Sequence, residues 1–296
     1  MTFVHPIAQF PSLAARVAEA QARIAARQDS AEPQQMFLPG LEDWLRAMPN
    51  AVARSSLFAP VARGRKKYHD RTVLVTRGDA TITYTGQQLD EAQADAWMQL
   101  MYDATDAPLG QAVIMNRAAF LRAIGHGTSG RDYDWLQRTM IAFTAATIVI
   151  EARKSDGAPK YRIGDTKAFH MLAGFDYDAN AEAYSFTIDP RWKTLFGGRE
   201  YALIDWEKRF QIEQGQDMAK ALQRLVATSA DAVQRYGLDW LKDKLQYTSP
   251  VRKFRIALVA AMRELERVGV IAGGRIEFST KGREQAAWVK LDGAQP

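Results

Sequence analysis

The chain has 296 residues, with 39 Lys and Arg against 34 Asp and Glu, a formal net charge of +5. It holds no cysteine, which excludes a disulfide framework and Cys-type zinc sites and fits a reducing cytoplasm; 47% of its residues are apolar, enough for packed cores. No apolar run approaches the ~18 residues of a membrane span and no signal-peptide pattern opens the chain, so the expectation is a soluble, cytoplasmic protein without membrane contact, whose modest basic excess permits nucleic acid without demanding it.

In chain order, residues 1–33 contain PSLAARVAEAQARIAARQ (11–28). Its apolar face is made of small residues with little area to bury, so it reads as a marginal helix or a disordered tail. Residues 34–70 read as a basic docking segment. MFLPGLEDWLRAMPN is dense in large apolar side chains but broken by Pro39, Gly40 and Pro49, which predicts an extended stretch that docks on something. From Arg46 to Arg77 the basic residues are Arg46, Arg54, Arg63, Arg65, Lys66, Lys67, Arg71 and Arg77, against a single acid, Asp70. Such a run is a solvated loop or an arm that tracks phosphates, and composition leaves both open.

Residues 71–200 read as a first domain. TVLVTR and ATITYT alternate around Gly78–Asp79, a hairpin signal. GQQLDEAQADAWMQLMYDA then places Trp97, Leu100, Met101 and Ala104 on one helical face. NRAAFLRAIG predicts a shorter helix ending at Gly125. RDYDWLQRTMIAFTAAT predicts a third, with Leu136, Met140, Phe143 and Thr147 as its inner stripe. TIVIEARK and PKYRIG form a hairpin around SDGA. FDYDANAEA reads as a polar turn before a strand, and AEAYSFTIDPRWKTLFGG as a strand and a turn-rich connector. Residues 201–296 repeat the order: helices at 217–230 and 238–246, a third from TSPVRKFRIALVAAMRELERVG, then RIEF and AAWVKL flanking STKGREQ as a wing. Helix, helix, helix, hairpin is the winged helix-turn-helix order. The fold class is therefore α+β: two tandem winged helix-turn-helix domains behind a mostly irregular N-terminal arm.

The last long helix is unusual. Ser249 is a good N-cap and Pro250 suits the first helical position. Yet its first turn carries Arg252, Lys253 and Arg255, with no acid before Glu264, at the end where the macrodipole favours anions by about 0.3–1 kcal/mol each. An outside anion such as phosphate would resolve the mismatch. On a helical wheel Phe254, Leu258, Ala261, Leu265 and Val268 form the core stripe. Arg252, Ile256, Val259 and Arg263 lie opposite, with Lys253 and Arg255 on the flanks. That face suits a major groove, where Arg reads guanine or phosphate and an aliphatic group meets a thymine methyl; it equally suits a packing surface for another domain or a dimer partner. On the earlier helix Arg131, Asp134, Arg138, Ile141 and Ala145 lie outward with Gln137 on a flank, a less basic face open to either a DNA-reading or a solvated role.

Catalysis has little support. His5, His69, His126 and His170 are dispersed and fit no metal spacing. Asp176 and Asp178 read as turn residues rather than metal ligands. GGRE and GHGTSG lack the Lys-Ser/Thr of a phosphate-binding loop. A non-enzymatic protein without metal or cofactor is expected.

Several segments resemble the TrfA-type replication initiators of broad-host-range plasmids. WLRAMPNAVARSSLF (44–58) is similar to a family stretch W…RAMPN…ARSALF, and ITYTGQQL (82–89) with Trp97 resembles ITYTG-x-x-L and the Trp that follows it. GRDYDWLQRTMIAFT (130–144) resembles the first recognition-helix region; VRKFR (251–255) with Glu264–Leu265 resembles V-K-K-W-R with E-L. The resemblance implies two winged-helix domains that bind repeated origin sites (iterons) in double-stranded DNA, open the adjacent A·T-rich region, and work with the host initiator and replicative helicase. It also implies a monomer–dimer equilibrium that controls copy number. Gln35, Met36 and Leu38 match a family motif that docks on the sliding clamp, with Pro39 replacing the final Phe; these apolar residues would otherwise staple the N-terminal segment to the first domain. Outside the resemblance, the competing reading is a winged-helix transcriptional regulator binding an operator as a dimer.

Overall fold

In the computed structural model, which describes residues 45–291 apart from 62–65, 79, 106, 108–109, 154–158, 164–168 and 197–199, LRAMP forms strand β1 (Leu45–Pro49), buried along its length. For these residues the expected docking partner is the chain itself: β1 pairs antiparallel with residues 201–205. The Ala-rich stretch and Gln35, Met36 and Leu38 lie outside the described residues.

After a helical turn at Asn50–Ala53, the first hairpin is β2 (Tyr68–Val73) with β3 (Ala80–Gln87), starting earlier than the alternation predicts. Helix α1 (Glu91–Asp103) begins in a capping box: the Asp90 carboxylate accepts from the Gln93 amide, and the Gln93 side chain accepts from the Asp90 amide. Trp97, Leu100, Met101 and Ala104 are buried, as their spacing requires. Strand β4 (Ala112–Asn116) leads into α2 (Arg117–Ala123), whose N-cap Asn116 accepts from the Ala119 amide. Gly125 ends this helix at φ +74°, a left-handed position that favours glycine. Helix α3 (Gly130–Ala145) buries Leu136, Met140 and Phe143. Thr147, expected on the same stripe, instead opens β5 (Thr147–Arg153): Ala146 turns to extended backbone and the β-branched run TIVI continues as strand. Strand β5 pairs with β6 (Pro159–Ile163).

The expected turn at FDYD is instead the end of β7 (Leu172–Asp178), which pairs with β8 (Ala183–Ile188). Phe175 and Tyr177 pack against Tyr184 at centroid distances of 5.5 and 5.4 Å, and these aromatic contacts hold the stretch as strand. The turn follows, with the Asp178 carboxylate accepting from the amides of Asn180 and Ala181.

A helical turn at Trp192–Phe196 precedes β9 (Tyr201–Asp205), the partner of β1, and α4 (Trp206–Gln211). Then come α5 (Asp217–Ala227), β10 (Val233–Gly237), α6 (Leu238–Lys244), α7 (Val251–Arg267), β11 (Ile271–Phe278) and β12 (Glu284–Lys290). Among the described residues the sheets are β1-β9, β2-β3-β5-β6, β4-β8-β7 and β10-β12-β11, and each of their ladders is antiparallel. The fold is mixed α+β.

Two apolar cores result. The first runs from Ala47 to Trp206 around Trp97, Phe143, Phe169 and Trp192; the second runs from Ile212 to Trp288 around Phe254, Leu258 and Leu265. A layer of buried charge joins them. Glu91 and Asp95 project from α1, and Arg209 on α4 pairs with both. Arg224 on α5 pairs with Glu91 and donates to the Phe58 carbonyl; Lys220 pairs with Asp95 at 2.8 Å. Burial alone would raise Asp95, but Arg209 and Lys220 outweigh it and lower its pKa. Lys244, wholly buried, donates to the Ser55 carbonyl at 3.2 Å; burial, with Arg224 nearby, brings its pKa down to about 7. Trp240 donates to the Thr76 carbonyl at 3.0 Å, adding a neutral tie.

Candidate nucleic-acid interface

Helix α7 follows its wheel. Phe254, Leu258, Ala261, Leu265 and Val268 are buried, while Arg252, Lys253, Ile256 and Arg263 are exposed, Ile256 at 66%. Val259 is half-buried. The cap differs from expectation. Pro250 itself occupies the N-cap position with ψ 152°, so the helix begins one residue later, and no side chain caps it. The Pro250 carbonyl accepts from the amides of Lys253 and Phe254.

One of the three misplaced cations finds its anion within the chain: Arg255 pairs with Glu284 on β12, which ties the start of α7 to its hairpin. Arg252 and Lys253 make no ion pair or side-chain hydrogen bond among the described residues, nor does Arg263. Two cations beside an uncapped helix start remain open to an external anion.

On α3, Arg131, Gln137 and Arg138 are exposed together with Asp134, Ile141 and Ala145. Here the helix start is satisfied internally. The Asp132 carboxylate accepts from the Ser129 amide at 2.9 Å and from the Ser129 hydroxyl at 2.6 Å, bonds that lower its pKa. His126 stacks on Trp135 at 4.2 Å with Asp132 3.9 Å away; burial lowers the His126 pKa, partly opposed by Asp132.

The basic run between Arg46 and Arg77 is largely structural where it is described. Arg46 is buried, donates to Gln99 at 3.0 and 2.9 Å, and lies 3.7 Å over the Tyr102 ring. Arg54 donates to the Thr228 carbonyl and Lys66 pairs with Asp90 at 2.6 Å. Arg77 lies 4.3 Å over the Tyr236 ring. Arg46 is buried and so removed from a phosphate-tracking arm; Arg54, Lys66 and Arg77 have partners within the chain, and Arg77 stays exposed. Lys67 and Arg71 are exposed, while Arg63 and Arg65 lie outside the described residues. Among the described residues no group of three or more His, Asp or Glu is placed to hold a metal ion, and no helix is long and apolar enough to cross a membrane.

Sequence reading missed the charge layer that fixes α1 against α5. Glu91 and Asp95, spaced i and i+4, offered a weak signal: two acids on a helix whose own sequence supplies no basic partner. Arg209 and Arg224 offered none.

Three comparisons bear on this chain. A family model described as TrfA protein matches residues 10–272. The plasmid replication initiator protein TrfA of Escherichia coli is 26% identical over 172 residues, 56% of this chain and 43% of that relative, so the match spans less than half of the relative's length. Among solved structures, domains 2 and 3 of RctB give a TM-score of 0.48 at 13% identity, covering 78% of this chain and 94% of that one. The Pi initiator protein in complex with iteron DNA gives 0.48 at 14%, covering 68% and 94%.

Proposed function

This chain belongs to the TrfA family, and from that premise we propose that it is a plasmid replication initiator that binds repeated origin sites in duplex DNA, acts without catalytic chemistry, and works in the cytoplasm. In this reading each helix-helix-helix-hairpin region, 71–200 and 201–296, acts as a winged-helix domain. Helices α3 and α7 enter major grooves, with Arg131, Gln137 and Arg138 contacting DNA from α3 and Arg252, Lys253, Ile256 and Arg263 from α7. Arg255 holds the hairpin against α7 and reaches DNA only by exchanging Glu284 for phosphate. Gln35, Met36 and Leu38 are proposed to dock on the host sliding clamp, and the balance of monomer and dimer to set copy number.

The observation that carries the DNA reading is the outward face of α7. It combines unpaired cations with an exposed aliphatic residue beside a helix start that the chain leaves uncapped. The test is binding of the full chain to duplexes carrying direct or inverted repeats across a salt series. About five neutralised phosphates give a slope of log K against log salt of roughly −4.5. Preference for direct repeats supports the initiator; a flat salt response overturns the nucleic-acid reading, and preference for inverted repeats supports an operator-binding regulator.

A further inference from the structure

The β11–β12 hairpin has an aromatic side chain in an anomalous place. Ile276 pairs across the sheet with Ala286, and Phe278 with Glu284. Directly paired residues share a face, so Phe278 lies on the side that packs on α7, together with Ala286 and Trp288 of the second core. Alternation alone would bury it, yet Phe278 is 72% exposed.

The reason is that the hairpin outruns the core. Strand β11 packs tightly on α7 at Gly274, where a Cβ would meet Met262 at 3.0 Å and the amide donates to Glu266 at 2.7 Å. From there it runs towards the start of the helix. The strand from Gly274 to Phe278 and the helix from Glu264 back to Arg255 each cover about 13 Å. The Arg255–Glu284 pair confirms that the hairpin tip lies beside the first turns of α7.

The tip is built rather than loose. The Ser279 amide donates to the Arg283 carbonyl at 2.8 Å, the Gly282 amide to the Ser279 carbonyl at 2.9 Å, and the Arg283 amide to the Ser279 hydroxyl at 3.1 Å. Lys281 and Arg283 are exposed there and make no ion pair among the described residues. Farther back on the opposite face the cations are already neutralised: Glu277 pairs with both Arg235 and Arg275. Free positive charge is thus kept at the tip that carries the exposed Phe278, on the hairpin that Arg255 ties to the first turns of α7.

We propose that Phe278 is an apolar wedge: with α7 in a major groove, the hairpin tip carries it to the adjoining minor groove, where it enters a base step and bends the duplex while Lys281 and Arg283 hold flanking phosphates. The inference rests on the DNA reading of α7. Charge favours duplex over protein as the occupant, because the exposed charged side chains of the tip, Lys281 and Arg283, are both cationic and a phosphate backbone satisfies them. Apolar wedges inserted from the minor groove unstack base steps and bend the helix towards the major groove.

The test uses the full chain and a duplex that it selects from a random-sequence pool. Single 2-aminopurine substitutions report unstacking, and end-to-end energy transfer reports bending. The wild-type chain should brighten 2-aminopurine at one step and shorten the end-to-end distance. Phe278→Ala should abolish both signals and weaken binding by about tenfold, within the range for loss of an aromatic stacked on a base. Phe278→Leu should keep part of both. Lys281→Ala with Arg283→Ala should lower the salt slope by about two and affect all sequences alike. If Arg252→Ala loses sequence preference while Phe278→Ala leaves bend, fluorescence and affinity unchanged, the wedge is overturned and the α7 reading stands. If Phe278→Ala changes only self-association, the ring belongs to a protein interface. If no duplex is selected, both readings fail.

Discussion

The two halves of this molecule use the same local order of helices and a hairpin, but they place the intervening strand differently. In the C-terminal half β10, between α5 and α6, joins the hairpin as β10-β12-β11 and closes one small sheet against α7. In the first half β4, between α1 and α2, pairs with β8 in a separate sheet, and the hairpin is completed by β3 and β2 instead. The helix starts differ as well. Helix α3 begins with Asp132 bonded to Ser129, whereas α7 begins with Pro250, no acid in its first turn and exposed Arg252 and Lys253. The first half therefore satisfies its helix terminus internally, and the second leaves that end open to an external anion. An internal cap adds stability to the free protein; an open cationic end gains most when a phosphate arrives.

The largest test of this contrast breaks the layer that joins the halves. Arg209→Ala should cost at the low end of about 3–5 kcal/mol, because it removes the partner that Glu91 and Asp95 share and leaves Glu91 with Arg224 and Asp95 with Lys220. Calorimetry should then resolve separate melting of the two cores; one cooperative transition at unchanged temperature would mean that the layer does not couple them.

Lys244→Met acts in the other direction, stabilising by about 1–4 kcal/mol, as buried charge replaced by apolar volume often does. The folded pKa of Lys244, about 7, lies below its ordinary 10.5. Between those values the unfolded chain holds a proton that the folded chain lacks, so stability rises with pH across that window. Denaturant titrations from pH 7 to 10 should show the rise in the wild type and a flatter profile in Lys244→Met.

On DNA, Arg252→Ala should cost about 1–3 kcal/mol on the preferred site if it grips a guanine, and Lys253→Ala should weaken all sequences alike and reduce the salt slope by about one. Arg138→Ala on α3 sharpens the comparison. An equal loss of specificity from both helices would mean that the closed and open helix starts do not divide the work.

The smallest effect is in acid. All four histidines lie before residue 171, so none is in the C-terminal half. Burial lowers the pKa of His126 and of His69. Stability should therefore fall as pH drops through the ordinary value of 6.5, where the unfolded chain gains protons first, and level off below the folded values. His126→Gln should remove part of that fall; an unchanged profile would place the acid sensitivity elsewhere.

The chain determined its own local plan. Trp97, Leu100 and Met101 recur at helical spacing on α1, Phe254, Leu258 and Leu265 do so on α7, and alternation around short turns marked the hairpins, because each pattern is written within one element and read by its period. The outward faces of α3 and α7 were legible for the same reason. Tertiary structure decided the rest. Strands β4, β9 and β10 are short, and their partners lie far along the chain, so no local period announces them. The sequence left the run from Arg46 to Arg77 open between a solvated loop and a phosphate-tracking arm; folding buries Arg46 against Tyr102 and Gln99, lays the exposed Arg77 over the Tyr236 ring, and sets Glu284 against Arg255. Whether a cation is free or engaged depends on what folding brings within a few ångströms of it, and sequence spacing cannot carry that information across separate elements.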